Sequence, residues 1–233
     1  MEHYSINTYN ESSLHNTLKA FYAHTYGGKT EVSADGHIYD VLTEDKTVIE
    51  IQTKNLSRLL PKVSDILSKG YKIKLVYPLV YRSRIVVTDE NGKKISNRLS
   101  PKKGCIYDIF RELTKLYPVL LEKNFTLEVI TINIIEHRIK YQHPVQSANK
   151  KRRYRRDWIK VNKRLDEIIE THTFSSKKDY LDLLPENLPQ EFCAKDFALP
   201  HYAHLIIWVL VRMKVIRQTG IKNRSRIYTV CED

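Results

Sequence analysis

Cysteine is nearly absent from this sequence. Cys105, Cys193 and Cys231 are an odd and widely separated set, so no disulfide framework is implied, and no zinc site either, because tetrahedral zinc ligands come in close pairs. A reducing, cytoplasmic setting is the expectation. Long apolar runs are also missing. None reaches the roughly 20 residues needed to span a bilayer, and the richest, residues 205–211, reads as packed core, so no membrane partner is expected. Residues 1–4, Met-Glu-His-Tyr, lack the basic segment followed by an apolar one that marks a signal peptide. No glycine-rich phosphate loop and no serine triad can be found. Negative charge is in deficit, with 27 Asp and Glu against 39 Lys and Arg. A formal charge of +12 exceeds what solubility requires and favours a polyanionic partner, nucleic acid before a neutral metabolite. The 233 residues are enough for two small domains.

Hydrophobic spacing gives the elements. Asn10 is a good helix cap, and Leu14, Leu18 and Phe21 form one stripe over residues 10–24. Residues 30–42 read as two strands around Asp35-Gly36, the dipeptide suited to a two-residue type I′ turn. A third strand covers 47–52. A helix over 57–68 carries Leu59, Leu60, Val63, Ile66 and Leu67, and strands follow at 71–77, ended by Pro78, and at 81–88. A helix with Ile106, Ile109, Phe110 and Leu113 precedes a last strand at 125–134. Strands and helices in this order imply a mixed sheet flanked by helices, an α/β core.

Composition changes after residue 137. The run Lys150-Lys151-Arg152-Arg153-Tyr154-Arg155-Arg156 resists compaction and reads as a solvated linker or arm able to contact phosphates. The expected organisation is therefore a first domain over 1–140, a basic linker over 141–157 and a second domain over 158–233. In the second domain, helices are expected over 158–170, 178–184, 193–198 and 201–214. Strands at 215–219 and 226–230 would flank a basic turn. Helix, turn, helix and basic hairpin make an α+β winged helix, whose Arg217, Lys222, Arg224 and Arg226 are candidate phosphate contacts.

The chemistry concentrates in the first domain. Counting outward from Asp35-Gly36 pairs Glu31 with Asp40, and counting from the loop Glu44-Asp45-Lys46 sets Asp40 opposite Glu50. Like charges directly opposed on neighbouring strands are destabilising, so a divalent cation, Mg2+ or Mn2+, is expected among the three acids on one face. An ordinary solvated sheet face is the bland alternative.

Asp40, nine residues, then Glu50-Ile51-Gln52, together with the helix, meander, helix, strand order, resembles the PD-(D/E)XK nuclease superfamily over roughly residues 10–77. The chain also looks like a bacterial group of nuclease-like proteins with a C-terminal winged helix, on the stretches Ile49-Glu50-Ile51-Gln52-Thr53 and Leu75-Val76-Tyr77-Pro78. The resemblance implies a restriction-endonuclease-like core. In it Asp40 and Glu50 hold the metal, the Ile51 carbonyl is a further ligand, and Glu31 or Glu11 adds an acid. Gln52 stands where the superfamily has lysine, and a glutamine orients through hydrogen bonds without supplying charge. Lys54 or Lys74 could restore that charge, while Arg58, Lys62, Lys102 and Lys103 could line a groove. The implied activity is metal-dependent hydrolysis of DNA phosphodiester bonds, with a homodimer plausible for duplex cutting. The alternative is a DNA-binding regulator whose nuclease fold has lost catalysis. A third reading gives the winged helix a protein partner.

Overall fold

The computed structural model describes residues 13–147, 150 and 152–231; Asn10, Glu11 and Lys151 lie outside them. Helix α1 (Ser13–Tyr26) buries Leu14, Leu18 and Tyr22 along one stripe. It ends at Gly27, which has φ 62°, the left-handed geometry that glycine adopts without steric penalty after a helix. Strands β1 (Lys29–Ala34) and β2 (His37–Leu42) form a hairpin. Its turn residues Asp35 and Gly36 both have positive φ, 52° and 81°, as a type I′ turn requires, and Ala34 faces His37 as expected. Strand β3 (Thr47–Ile51) pairs antiparallel with β2.

A crossover through a 3-10 turn at Leu56–Leu59 and helix α2 (Leu60–Ser68) brings β4 (Lys72–Thr88) parallel to β3. Strand β5 (Lys94–Leu99) folds back on the far half of β4, and after the short helix α3 (Phe110–Leu113) strand β6 (Phe125–Val145) lies parallel to β4. Strand β7 (Arg156–Phe174) then returns antiparallel to β6. The result is a seven-stranded mixed sheet of order β1-β2-β3-β4-β6-β7, with β5 paired to β4. One core, including Val48, Leu75, Val63 and Phe110, packs between the sheet and α2 and α3. A second, including Ile49, Ile51, Val76 and Ile132, packs under α1.

Three expectations need correction. Pro78 does not end a strand, because β4 runs through it to Thr88. Val76 presents its carbonyl to Gln52 on the β3 side, so Pro78, two residues on, turns its donor-free nitrogen to the side where β3 has already ended, an edge position that tolerates proline. The helix expected over 158–170 is strand β7. Ile159, Leu165 and Ile168 pair with Ile139, Ile134 and Ile132, but register shifts, among them one between Asn133 and Ile134, interrupt the ladder. Such bulges break the two-residue alternation and leave apolar residues at spacings that mimic a helical stripe. Finally, the segment expected as a linker belongs to the closing part of the β6–β7 hairpin, with Lys140 opposite Trp158 and Val145 opposite Arg156.

Beyond β7 come helices α4 (Lys177–Leu181) and α5 (Ala203–Arg212) and the hairpin of β8 (Ile216–Lys222) and β9 (Ser225–Val230). Phe192 bridges to Tyr228 of β9 through two backbone hydrogen bonds of 3.0 and 2.8 Å. Helix α5 buries Ala203, Ile206, Ile207, Val209 and Leu210 in the same core as α3 and Phe174. Among the described residues no helix is long and apolar enough to cross a membrane.

Gly104 marks a close approach that no side chain fits, since a Cβ there would stand 2.3 Å from the backbone oxygen of Val80. Gly104→Ala is therefore expected to cost about 1–3 kcal/mol through forced displacement of β4. A Cβ at Gly220 would meet nothing within 4 Å, so Gly220→Ala should leave the urea midpoint nearly unchanged. Equal midpoints for the two variants would contradict this packing.

Candidate active site

The site is built where β2 and β3 part. Tyr39 is buried in the core under α2, yet Val41, two residues on, is buried in the core under α1. A regular strand sends such residues to one face, so the alternation breaks at Asp40. Glu31, on the neighbouring strand, has φ 54°, the left-handed region that a glutamate rarely adopts. The β2–β3 ladder comprises Val41 opposite Ile49 and Leu42 opposite Val48. At the next step side chains replace it: the Ile51 N–H donates to Asp40 Oδ2 at 2.8 Å, and the Asp40 N–H donates to Glu50 Oε1 at 3.3 Å. Two carboxylates thus satisfy backbone donors that separating strands would otherwise leave unpaired.

Each acid also meets a cationic or imidazole nitrogen. His15 Nε2, on α1, lies 2.8 Å from the Ile51 carbonyl oxygen and 3.3 Å from Asp40 Oδ2. Lys62 Nζ, on α2, donates to Glu50 Oε1 and to the Ile38 carbonyl, both at 2.6 Å. Lys19 Nζ, on α1, pairs with Glu31 Oε1 at 2.8 Å. Burial alone would raise the Asp40 carboxyl, but the hydrogen bond and charge of His15, the Ile51 N–H and the charge of Lys19 outweigh it and hold Asp40 below the usual carboxylate range. Glu50 goes the other way. Burial first, and the Asp40 charge second, push it from 4.5 up to about 7 against the pull of Lys62. Environments that drive two neighbouring carboxyls apart are a mark of functional sites.

The expected single face is therefore corrected. Glu31 and Asp40 make their ion pairs with α1, Glu50 makes its pair with α2, and Asp40 and Glu50 meet edgewise across the gap. Gln52 donates its backbone N–H to Val76 O at 2.9 Å and its side-chain amide to Lys54 O at 2.7 Å. Lys54 does not continue a strand face, because β3 ends at Ile51 and Lys54 lies in the bend before Asn55, whose φ is 55°. Lys74 is committed elsewhere, to Glu128 Oε2 at 2.7 Å and Tyr26 Oη at 2.6 Å. Tyr22 donates to the other oxygen of Glu128, which locks this network under α1.

Two contributors escaped sequence reasoning. His15 and Lys19 stand at i and i+4 beside the apolar stripe of α1, a spacing legible in the sequence but read only for its apolar members. Lys163, on β7 in the segment expected to be helical, stands opposite Glu136 of β6. Burial, and then the charges of Lys160 and Lys54, which outweigh Glu136, push its ammonium below the usual lysine range.

The basic candidates fall in two places. Lys150, Arg152, Arg153, Arg155 and Arg156 lie in and beside the turn of the β6–β7 hairpin. There the guanidinium carbons of Arg138, Arg152 and Arg156 stand 3.9, 4.6 and 5.4 Å from the centre of the Trp158 ring. Lys222, Arg224 and Arg226 lie at the tip of the β8–β9 hairpin. Among the described residues no group of three or more His, Cys, Asp or Glu side chains converges as a metal cluster; the oxygens gathered at the gap belong to two carboxylates and one backbone carbonyl.

Comparison with known proteins matches residues 12–175 to a family described as a domain of unknown function (DUF8091). That span runs from the start of α1 to the end of β7. The chain is also 32% identical over 194 residues to a protein of Treponema pallidum (strain Nichols) described as uncharacterized, covering 83% of this chain and 74% of that one. No solved structure matches.

The Glu50 carboxyl, 5% exposed, gives the site a pH signature. In the unfolded chain it titrates near 4.5 and in the fold near 7. Between those values the folded state holds a proton that the unfolded state has lost, so this contribution to stability is complete below the lower value and is lost as pH rises through the upper one. Glu50→Gln is expected to gain on the wild type by on the order of 2 kcal/mol between about pH 5 and pH 8, read as the difference in urea unfolding. A difference that does not vary with pH would contradict the assignment.

Proposed function

The chain belongs to the DUF8091 family, and we propose that this member is a metal-dependent nuclease that hydrolyses DNA phosphodiester bonds at the parting of β2 and β3. One observation carries the reading: His15 Nε2 sits within 3.3 Å of both Asp40 Oδ2 and the Ile51 carbonyl oxygen, the position a cation shared by those two oxygens would take. Glu50 supplies a second carboxylate across the gap. Hard oxygen donors of this kind suit Mg2+ or Mn2+, so the residues present fit the ion. Bound there, it would activate water and neutralise charge on the phosphate.

The chain's own residues do the rest. Asp40 and Glu50 would hold the ion, Ile51 O would complete the protein's share of the ligands, and Glu31, tied to Lys19, would balance charge nearby. Gln52 fixes the bend after β3 through Lys54 O. Lys54, in the bend after β3, would supply the positive charge that Gln52 lacks. Support for a restriction-endonuclease-like core comes from the order of α1, the β1–β3 meander, the α2 crossover and the parallel strands β4 and β6. A winged-helix reading of the C-terminal unit draws on α4, the Phe192 bridge, α5 and the β8–β9 hairpin in that order. The arginines of the β6–β7 turn and the tip of the β8–β9 hairpin would grip phosphates without reading sequence. Cutting both strands would take two such sites, as in a homodimer, or two successive events. Free Cys105, Cys193 and Cys231 suit a reducing cytoplasm.

A second reading, a DNA-binding regulator without catalysis, is favoured by the Gln52 amide being turned onto Lys54 O. Cleavage separates the two. Wild-type protein with Mg2+ or Mn2+ should cut at least one of supercoiled, branched or single-stranded DNA, and Asp40→Asn should lower the rate on the order of a hundredfold or more, the scale of losing one electrostatic contact to a transition state. Equal rates for wild type and variant would refute the nuclease reading and leave the regulator. Alanine at Arg155 and Arg156 should weaken DNA binding and flatten its dependence on salt by about one unit of log-log slope per lost contact. An unchanged slope would remove the hairpin turn from the interface.

A further inference from the structure

Far along the chain from the carboxylates, a cavity of about 810 Å3 opens between α5 and the β8–β9 hairpin. Its floor is apolar: Ala203, Ile207 and Tyr228 are each less than a tenth exposed. Lys195, Arg212, Arg224 and Arg226 also line it, and no aspartate or glutamate does. Among the described residues none of these four cations has a carboxylate partner, so the lining carries net positive charge. Trp208, 41% exposed, forms part of the wall. Tyr117 braces it edge-on, with ring centres 6.0 Å apart at 87°, and the Arg212 guanidinium lies 5.3 Å from the indole centre.

A large indole left open to solvent beside an apolar floor calls for a flat apolar body, and the surrounding cations call for negative charge on the same ligand. A base-paired duplex meets only the second demand, because its bases are stacked inside and its outer surface is phosphate. A purely acidic peptide such as polyglutamate carries the charge but no ring to lay on the indole, and a peptide with an aromatic residue supplies ring and charge only from separate residues. An unpaired nucleotide meets both, since a base freed from its stack lies on an aromatic side chain while its phosphates engage arginine. The volume falls within the range of small-ligand sites, about 300–1,000 Å3.

We propose that this cavity takes an unpaired nucleotide of a single-stranded nucleic acid segment, the base on Trp208 and the flanking phosphates on Arg212, Arg224 and Arg226. The inference deepens the nucleic-acid reading by naming the substrate feature engaged, an unpaired end or strand, and its test does not depend on hydrolysis at Asp40.

Anisotropy of a labelled single strand, of a blunt duplex and of the same duplex with a short overhang, in EDTA and with the full chain, provides that test. Trp208→Ala should weaken binding of the single strand and the overhang about tenfold or more and that of the blunt duplex less than twofold. Arg224→Glu, at the exposed hairpin turn, should weaken the single strand comparably without touching the floor. In Trp158→Phe protein the remaining indole, Trp208, should be quenched by the single strand and not by polyglutamate. Three results would each overturn the proposal: single-strand binding indifferent to Trp208→Ala, loss of equal size on the blunt duplex, or displacement of the strand by polyglutamate at matched charge. If Asp40→Asn protein binds single strands normally but no DNA is cut by the wild type, the cavity stands and the nuclease reading falls.

Discussion

The parting of β2 from β3 at Asp40 is the constraint on which the site depends. A buried backbone N–H must find an acceptor, and here the N–H groups of Asp40 and Ile51 find carboxylates instead of a facing strand. Charge is thereby fixed inside the sheet, where it is expensive unless compensated. His15, Lys62 and Lys19 are drawn in from the two helices that cover opposite faces. The apolar packing on both sides, with Ile49 and Ile51 under α1 and Val48 under α2, keeps β3 from sliding to heal the ladder. Local backbone geometry, ion pairing and the two cores are thus parts of one arrangement.

That arrangement puts unequal carboxyls side by side. Asp40 is held ionised by its neighbours, whereas Glu50 is pushed toward neutrality by burial and by Asp40. A divalent ion between them would reverse the balance, since positive charge favours both ionised forms. On the proposed metal-dependent reading, His15 and Lys62 would give up the oxygens they contact to the ion.

Much of the site was legible in the sequence because hairpin registers are set by turn chemistry. Asp35-Gly36 dictated Ala34 opposite His37, and the short loop after Leu42 put β2 and β3 in the register that brings Asp40 level with Glu50. What could not be counted from the turns was the change of face at Asp40, which depends on a left-handed Glu31 and on which core claims Tyr39 and Val41. Helix α2 came out where its apolar stripe placed it; α1 did so at Leu14 and Leu18, but Tyr22 completes its buried face and the expected Phe21 is 46% exposed. Strand β7 was not legible in this way, because its bulges gave Leu165, Ile168 and Ile169 a helical spacing. With it went the joining of the basic run into a hairpin. Lys54 was misplaced for a related reason, an alternation carried past the end of β3.

A manganese-soaked crystal tests the central claim most directly, through anomalous scattering. A peak bounded by Asp40, Glu50 and the Ile51 carbonyl oxygen is expected, with His15 Nε2 moved off that oxygen. Ordered protein with no peak in the gap, His15 still seated on Ile51 and manganese bound elsewhere would contradict it.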